Sequence, residues 1–223
     1  LETALLDFTE LKHKLANNSV LKHFIPKKSL VGVHEYWKTR MATGDANAYT
    51  EYLKNVELSE YFVKIVDRYA SNKNISIIEL GCNVGRNLNA FFVAGYKNLY
   101  GIEINSHAIE AMKTYYPDMA NVVKIYNSSI EDKIKELSEF DLVFTIAVLM
   151  HIHPDSEWIF EQIARITKNW LITFEDESGE ATKNFPRNYK KIFEEFGLKE
   201  VEYIDKISGQ PSTYKTRIFK KNE

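Results

Sequence analysis

An apolar stretch, Ile75-Ser76-Ile77-Ile78-Glu79-Leu80, carries an acid near its end and runs into Gly81-Cys82-Asn83-Val84-Gly85-Arg86-Asn87. Gly81 permits a sharp change of backbone direction, and Gly85 allows a ligand or a packed backbone to approach closely. Open α/β sheets bind ligands beyond the C-terminal ends of their strands, which places Glu79, Gly81, Cys82, Gly85 and Asn87 at such a mouth. Glu103 closes a second apolar stretch, Leu99 to Ile104. A carboxylate there can accept hydrogen bonds from both hydroxyls of a ribose. The plain alternative is a structural turn followed by a solvated Glu, and the two features in tandem argue against it. A nicotinamide site asks for Gly-x-Gly-x-x-Gly, which this turn does not match, and no Gly-Lys-Ser/Thr follows to make a phosphate loop.

Further along, Thr145 to Ile152 leads to His151, with His153 two residues on. An imidazole in that position can exchange a proton or simply hydrogen-bond. Two histidines do not make a metal site, and no metal is expected. Glu175 and Asp176 follow another apolar stretch and are expected to face the same rim, as acceptor contacts or as a solvated strand end. Tyr36, Trp37 and Arg40 form an aromatic and basic segment that can stack on an organic molecule and anchor an anion, or staple the N-terminal part to the rest. Arg187, in Phe185-Pro186-Arg187-Asn188-Tyr189, is a second candidate for reading a carboxylate or phosphate, with capping as its duller role. Cys82 has no base beside it in sequence and reads as a compact residue positioning the backbone.

These residues need a scaffold. Residues 1–57 read as a helical and irregular extension: Leu5, Leu6, Phe8, Leu11 and Leu15 make an approximate helical stripe, and Ala42 to Asn47 reads as a loop. Residues 58–223 read as one domain in which strands and helices alternate. Helices are expected around Tyr61 to Tyr69, after Asn87, around Ile109 to Tyr116, near Ile130 to Leu137, from His153-Pro154-Asp155, and around Tyr189 to Phe196. Strands are expected at Ile75–Leu80, Leu99–Ile104, Val122–Tyr126, Phe140–Thr145, Leu171–Phe174, Leu198–Ile204 and Thr213–Phe219. Such alternation calls for a doubly wound, Rossmann-like α/β sheet of seven mostly parallel strands with helices on both faces. The last two strands have no room for a crossover helix and should pair antiparallel.

The run Ile77 to Asn87, followed by Gly101-Ile102-Glu103-Ile104-Asn105, resembles the class I S-adenosylmethionine-dependent methyltransferases over about residues 58–220. The resemblance implies S-adenosylmethionine as cofactor, with Glu79 and Gly81 to Gly85 around its methionine part and Glu103 on its ribose. It sets Ser129 and Ile130 beside the adenine, with Glu131 and Asn105 nearby. Many members carry an acid just before the histidine of the Thr145–Ile152 segment, and here that position is Met150. The combination of His34-Glu35-Tyr36-Trp37, the Glu79–Gly85 turn and Pro186-Arg187-Asn188-Tyr189 is similar to a group with some relatives linked to surface-sugar biosynthesis. Methyl transfer needs an acceptor atom aligned with the methyl group and, for some oxygen or nitrogen acceptors, removal of a proton; His151 is the candidate for that step.

Composition narrows the acceptor. Lys plus Arg is 29 against 31 for Asp plus Glu, a formal charge of -2, which offers no electrostatic argument for clamping a nucleic-acid backbone. A small-molecule acceptor is therefore expected, with RNA, protein, or a module that binds cofactor without turnover as alternatives. A single cysteine excludes an intrachain disulfide and suggests a cytoplasmic location. No run approaches the length of a membrane span, and the acids in the opening residues do not suit a secretory leader.

Overall fold

The computed structural model describes residues 26–41 and 47–222. The stripe from Leu5 to Leu15 and most of the Ala42–Asn47 loop lie outside the described residues. In chain order the elements are α1 (Leu30–Lys38), a 3-10 turn (Tyr49–Leu53), α2 (Val56–Tyr69), β1 (Ser76–Leu80), α3 (Arg86–Val93), β2 (Asn98–Glu103), α4 (Ser106–Tyr115), α5 (Pro117–Ala120), β3 (Lys124–Asn127), α6 (Ile130–Lys133), β4 (Phe140–Ile146), α7 (Trp158–Ile166), β5 (Thr167–Asp176), α8 (Tyr189–Glu195), β6 (Leu198–Ile204) and β7 (Tyr214–Lys221).

The seven strands form one sheet in the order β3-β2-β1-β4-β5-β7-β6. The first five pair in parallel, and β7 runs antiparallel between β5 and β6. Both faces are buried because neighbouring apolar residues on each inner strand serve opposite cores. Ile78, Val143 and Leu171 pack with α7 and α8, whereas Ile77, Leu142, Phe144 and Ile172 pack with α2 and α3. The sheet is therefore doubly wound. The strand order reverses between β1 and β4, and the cleft opens there.

Several boundaries differ from the sequence expectation. The third strand starts at Lys124, because Val122 and Val123 donate their amides to Met119 O and close the end of α5. His153-Pro154-Asp155 opens a 3-10 turn, capped when the Asp155 amide donates to His153 Nδ1, and α7 begins only at Trp158. The aromatic segment around Trp37 is helical: Ser29 caps α1 by accepting from the Gly32 amide. Among the described residues, no helix is long and apolar enough to cross a membrane.

Candidate active site

The turn after β1 is fixed by backbone conformation and crowding together. Gly81 sits at φ +71°, and a Cβ there would lie 2.6 Å from Val148 Cγ2, on the loop after β4. Gly85 also has positive φ, but it packs against Met112 and Met119 at the start of α3 and does not line the cleft. Its close neighbours are the Met112 and Met119 side chains, in line with the packing alternative of the sequence expectation. Gly101 leaves room for the Cys82 sulfur: a Cβ there would lie 2.7 Å from Sγ. Burial pushes the Cys82 thiol up, first of all causes, so this sulfur is no nucleophile.

Two buried carboxylates flank this turn. Glu79 accepts from Asn87 Nδ2 at 2.6 Å through Oε1, and Asn87 in turn accepts from Ser59 Oγ at 2.6 Å. Arg86 Nε donates to the same Ser59 hydroxyl, and its Nη1 reaches the Tyr52 carbonyl. Glu79 Oε2 is buried with no hydrogen-bond partner among the described residues. Burial raises the Glu79 carboxyl to about 8, opposed by the Asn87 hydrogen bond and the Arg86 charge. Glu103 accepts the Asn83 amide at 2.8 Å on one oxygen and the Asn105 amide at 2.7 Å on the other. Each oxygen keeps a further lone pair, so the carboxylate can still accept two hydroxyls. Burial raises its pKa as well.

The opposite wall follows β4. Glu175 is fully buried and accepts the amides of Val148 and Met150, at 3.0 and 3.2 Å. It holds the turn carrying His151 and does not line the cleft, with burial raising its carboxyl to about 7. His151 Nδ1 lies 3.0 Å from the Lys183 carbonyl. A carbonyl only accepts, so the proton sits on Nδ1 and Nε2 keeps its lone pair. Burial, more than anything else, lowers the imidazole to about 3.

Helix α1 lies across the mouth. The Lys28 amide donates to Thr182 O at 2.7 Å, His34 Nε2 is 3.1 Å from Glu131 Oε1, and Asn105 Nδ2 donates to Arg40 O at 2.8 Å. The Trp37 ring lies 4.6 Å, centroid to centroid, from that of His151.

The resulting cleft has a cavity volume of about 150 Å³. Of the sequence candidates, it brings together Glu79, Gly81, Cys82, Asn87, Glu103, Asn105, Ser129, Ile130, His151, Trp37 and Arg40. Tyr36, Asp176 and Arg187 are left out of its lining. The Tyr36 hydroxyl accepts from Asn47, Asp176 accepts the amides of Ser178 and Gly179, and Arg187 pairs with Glu157 at 3.1 Å. Asp176 and Arg187 thus stabilise their own loops, and Glu175 its turn. Sequence reasoning missed Arg86, Tyr52 and His34, all of which line the cleft. Arg86, beside the glycine turn, and His34, in the His34–Trp37 segment, stood within motifs, whereas Tyr52 did not.

The residues fit a nucleoside cofactor with a cationic tail: a partnerless carboxylate oxygen at Glu79 and a two-oxygen acceptor at Glu103 line one cleft. Residues 78–170 match the family model described as a methyltransferase domain. A sequence search against curated proteins returned no match. Magnesium protoporphyrin IX methyltransferase from Synechocystis PCC 6803, solved with bound S-adenosylhomocysteine, is similar in fold, with a TM-score of 0.64 at 14% identity, covering 87% of this chain and all (100%) of that one. PH0226 from Pyrococcus horikoshii OT3 has a TM-score of 0.60 at 14% identity over 84% of this chain and 99% of its own. TehB from Haemophilus influenzae has 0.58 at 15% identity, over 72% and 62% respectively. Residues 78–170, which match the methyltransferase-domain model, span β1 to the start of β5 of a doubly wound sheet similar in fold to solved methyltransferases. The chain is an enzyme that transfers methyl groups, and its cofactor is S-adenosylmethionine.

Proposed function

We propose that the chain methylates a small-molecule acceptor beneath α1, with Glu79 opposite the cofactor's amino group, Glu103 on its ribose, and Asn105, Ser129 and Ile130 around its adenine. The observation carrying the cofactor assignment is Glu79 Oε2, a buried carboxylate oxygen without a partner among the described residues, on the wall of the cleft. When bound, S-adenosylmethionine supplies a methyl group already activated on a sulfonium. The chain's own task is then to orient and to exclude water. Asn87 and the Ser59–Arg86 pair hold Glu79 in place, while Gly81 and Val148 bring the two loops together.

His151 presents a neutral Nε2 lone pair that can accept from an acceptor O–H or N–H. With a pKa near 3 it is a weak base, so its proposed role is to orient that group rather than to take its proton fully. The N-terminal segment acts as a lid, with Trp37 as its apolar wall. This cover favours an acceptor small enough to lie under one helix. The similarity to relatives linked with surface sugars makes sugar-like metabolites the first ones to try. The lone buried cysteine suits a reducing compartment, and we place the enzyme in the cytoplasm.

Calorimetry with S-adenosylhomocysteine tests the cofactor site. Glu103→Ala is expected to weaken binding at least tenfold, about 1.4 kcal/mol, and unchanged affinity rejects the ribose contact. Labelled cofactor offered to metabolites, RNA and cell protein tests the acceptor. Dominant transfer to RNA or protein overturns the small-molecule reading.

A further inference from the structure

The cleft wall carries a hydrogen-bond donor and an acceptor side by side, and the two do not bond to each other. Trp37, from α1, and His151, from the turn after β4, both line the cleft, with ring centroids 4.6 Å apart. Trp37 Nε1 is buried and has no hydrogen-bond partner among the described residues. An indole N–H only donates, and burying it unpaired is costly. The His151 ring has the opposite polarity: Nδ1 donates to the Lys183 carbonyl at 3.0 Å, so Nε2 offers a lone pair and no proton. Both rings sit on anchored elements. The Lys28 amide and the Arg40 carbonyl tie the two ends of α1 to Thr182 and Asn105, and Glu175 holds the amides of Val148 and Met150 just ahead of His151.

A ligand group that completes this pair must accept from Trp37 and donate to His151. A carboxylate satisfies Trp37 but sets its own lone pairs against that of Nε2. An ammonium donates to His151 and leaves the indole N–H unmet. A neutral hydroxyl does both, and the spacing of the rings lets one hydroxyl, or two on neighbouring carbons, span the two nitrogens. It also has two lone pairs, so one remains after Trp37 has engaged the other. An amide donates and accepts as well, but its nitrogen lone pair is delocalised into the carbonyl and is a poor nucleophile.

We propose that Trp37 Nε1 and His151 Nε2 together read a neutral hydroxyl of the methyl acceptor, so that the acceptor is an alcohol, the product a methyl ether, and Trp37 a specificity-determining residue as well as a wall. The proposal rests on the methyl-transfer reading and narrows its acceptor class. The remaining lone pair of the hydroxyl forms the new O–C bond, and the C–S electron pair stays on sulfur. The hydroxyl proton, acidified as that bond forms, leaves along the His151 hydrogen bond to solvent. This order of events asks for no strong base, which suits an imidazole that burial lowers to about 3.

The test uses the full, isotope-labelled chain, with and without S-adenosylhomocysteine, followed by NMR. The sequence has three tryptophans, and the indole N–H signal lost in Trp37→Phe is that of Trp37. The probes are benzyl alcohol, benzyl methyl ether, benzoate and benzylammonium, which share a ring and differ in the group they offer. Benzyl alcohol is expected to bind about fivefold more tightly than each of the others, one hydrogen bond's worth, and to move the Trp37 indole signal downfield. His151→Phe should abolish the advantage of the alcohol over the ether. Trp37→Phe should weaken both alike, and both variants should keep S-adenosylhomocysteine affinity within twofold. In the labelled-cofactor screen the product should be a methyl ether. An ester or N-methyl product, either ion binding as well as the alcohol, equal binding of alcohol and ether, an unmoved indole signal, or no binding of the alcohol at tens of millimolar overturns the proposal. Failure to bind S-adenosylhomocysteine rejects the methyl-transfer reading instead, and the titrations on the free chain still decide whether the pair reads a hydroxyl.

Discussion

At the scale of single residues, Glu79 links the site to pH. Asn87 donates to Oε1, so a proton on this carboxyl belongs on Oε2, the oxygen with no partner among the described residues. In the ligand-free chain burial raises its pKa from 4.5 to about 8, and that of Glu175 from 4.5 to about 7. The folded state therefore holds these protons more tightly than the unfolded state. Their stabilisation is complete below pH 4.5 and is lost as pH rises through about 7 and then 8. His151, lowered from 6.5 to about 3, acts oppositely: its contribution is present above 6.5 and is lost as pH falls toward 3. Thermal denaturation of ligand-free protein should show a melting temperature that falls from pH 6.5 to 8, with a shallower fall in Glu79→Gln. An equal slope in that variant removes Glu79 as the source. On the proposed placement, ligand reverses the preference, because an ammonium opposite Glu79 favours its ionised form. S-adenosylhomocysteine affinity should then rise with pH toward 8, by at most about tenfold per unit. Calorimetry in buffers of different ionisation heat should detect proton release near pH 7, absent in Glu79→Gln.

At the scale of elements, the turn after β1 carries a prediction that separates strain from crowding. Gly81 and Gly95 both have positive φ, at +71° and +92°, but among the described residues only Gly81 faces a neighbour, while nothing lies within 4 Å of a Cβ on Gly95. Alanine at either position pays backbone strain of order 1–3 kcal/mol. Gly81→Ala must also push Val148 aside, so its loss in urea unfolding should exceed that of Gly95→Ala and extend to cofactor affinity. Equal losses would show that Val148 yields freely. This turn was legible in the sequence because glycine spacing and an acid-ended strand are local signals. The far side of the cleft was not. Glu175 was placed at the rim by its position at a strand end, yet the amides of the Val148–Met150 turn capture it, a meeting across 25 residues or more that no local pattern encodes. Tyr36 and Trp37 were read together as one stacking segment, but they are neighbours on a helix and project about 100° apart. Only Trp37 reaches the cleft. Trp37→Ala should therefore lower acceptor affinity or turnover well before it lowers cofactor affinity, whereas parallel losses in all three would assign Trp37 to holding α1 in place.

At the scale of the whole molecule, the sheet divides into a working side and a bracing side. β1, β4 and the loops beyond them form the cleft. At the other edge, Arg217 joins Glu177 at 2.6 Å to Glu200 at 2.5 Å and ties β7 to both its flanks, away from the cleft residues. The doubly wound order was legible because apolar runs alternate with helical stripes, and the short link before β7 forced an antiparallel pair. That β7 would insert between β5 and β6 was not legible, since either side of β6 satisfies the same pattern. This division predicts where ligand binding is felt. S-adenosylhomocysteine at a hundred times its dissociation constant stabilises the folded state by about 2.7 kcal/mol. For a domain of this size that raises the melting temperature by roughly 5–10 °C. Helix α1 touches the cleft through Val33, His34 and Trp37, and Arg40, just past its end, is held by Asn105, two residues after Glu103, the proposed ribose carboxylate. Amide exchange should therefore slow upon binding in residues 30–40, 103–105 and 148–151 beyond the general stabilisation, and β6 and β7 should show only the general effect. Local slowing that spares α1 would mean the helix stands apart from the cofactor, and the lid would lose its coupling to the site.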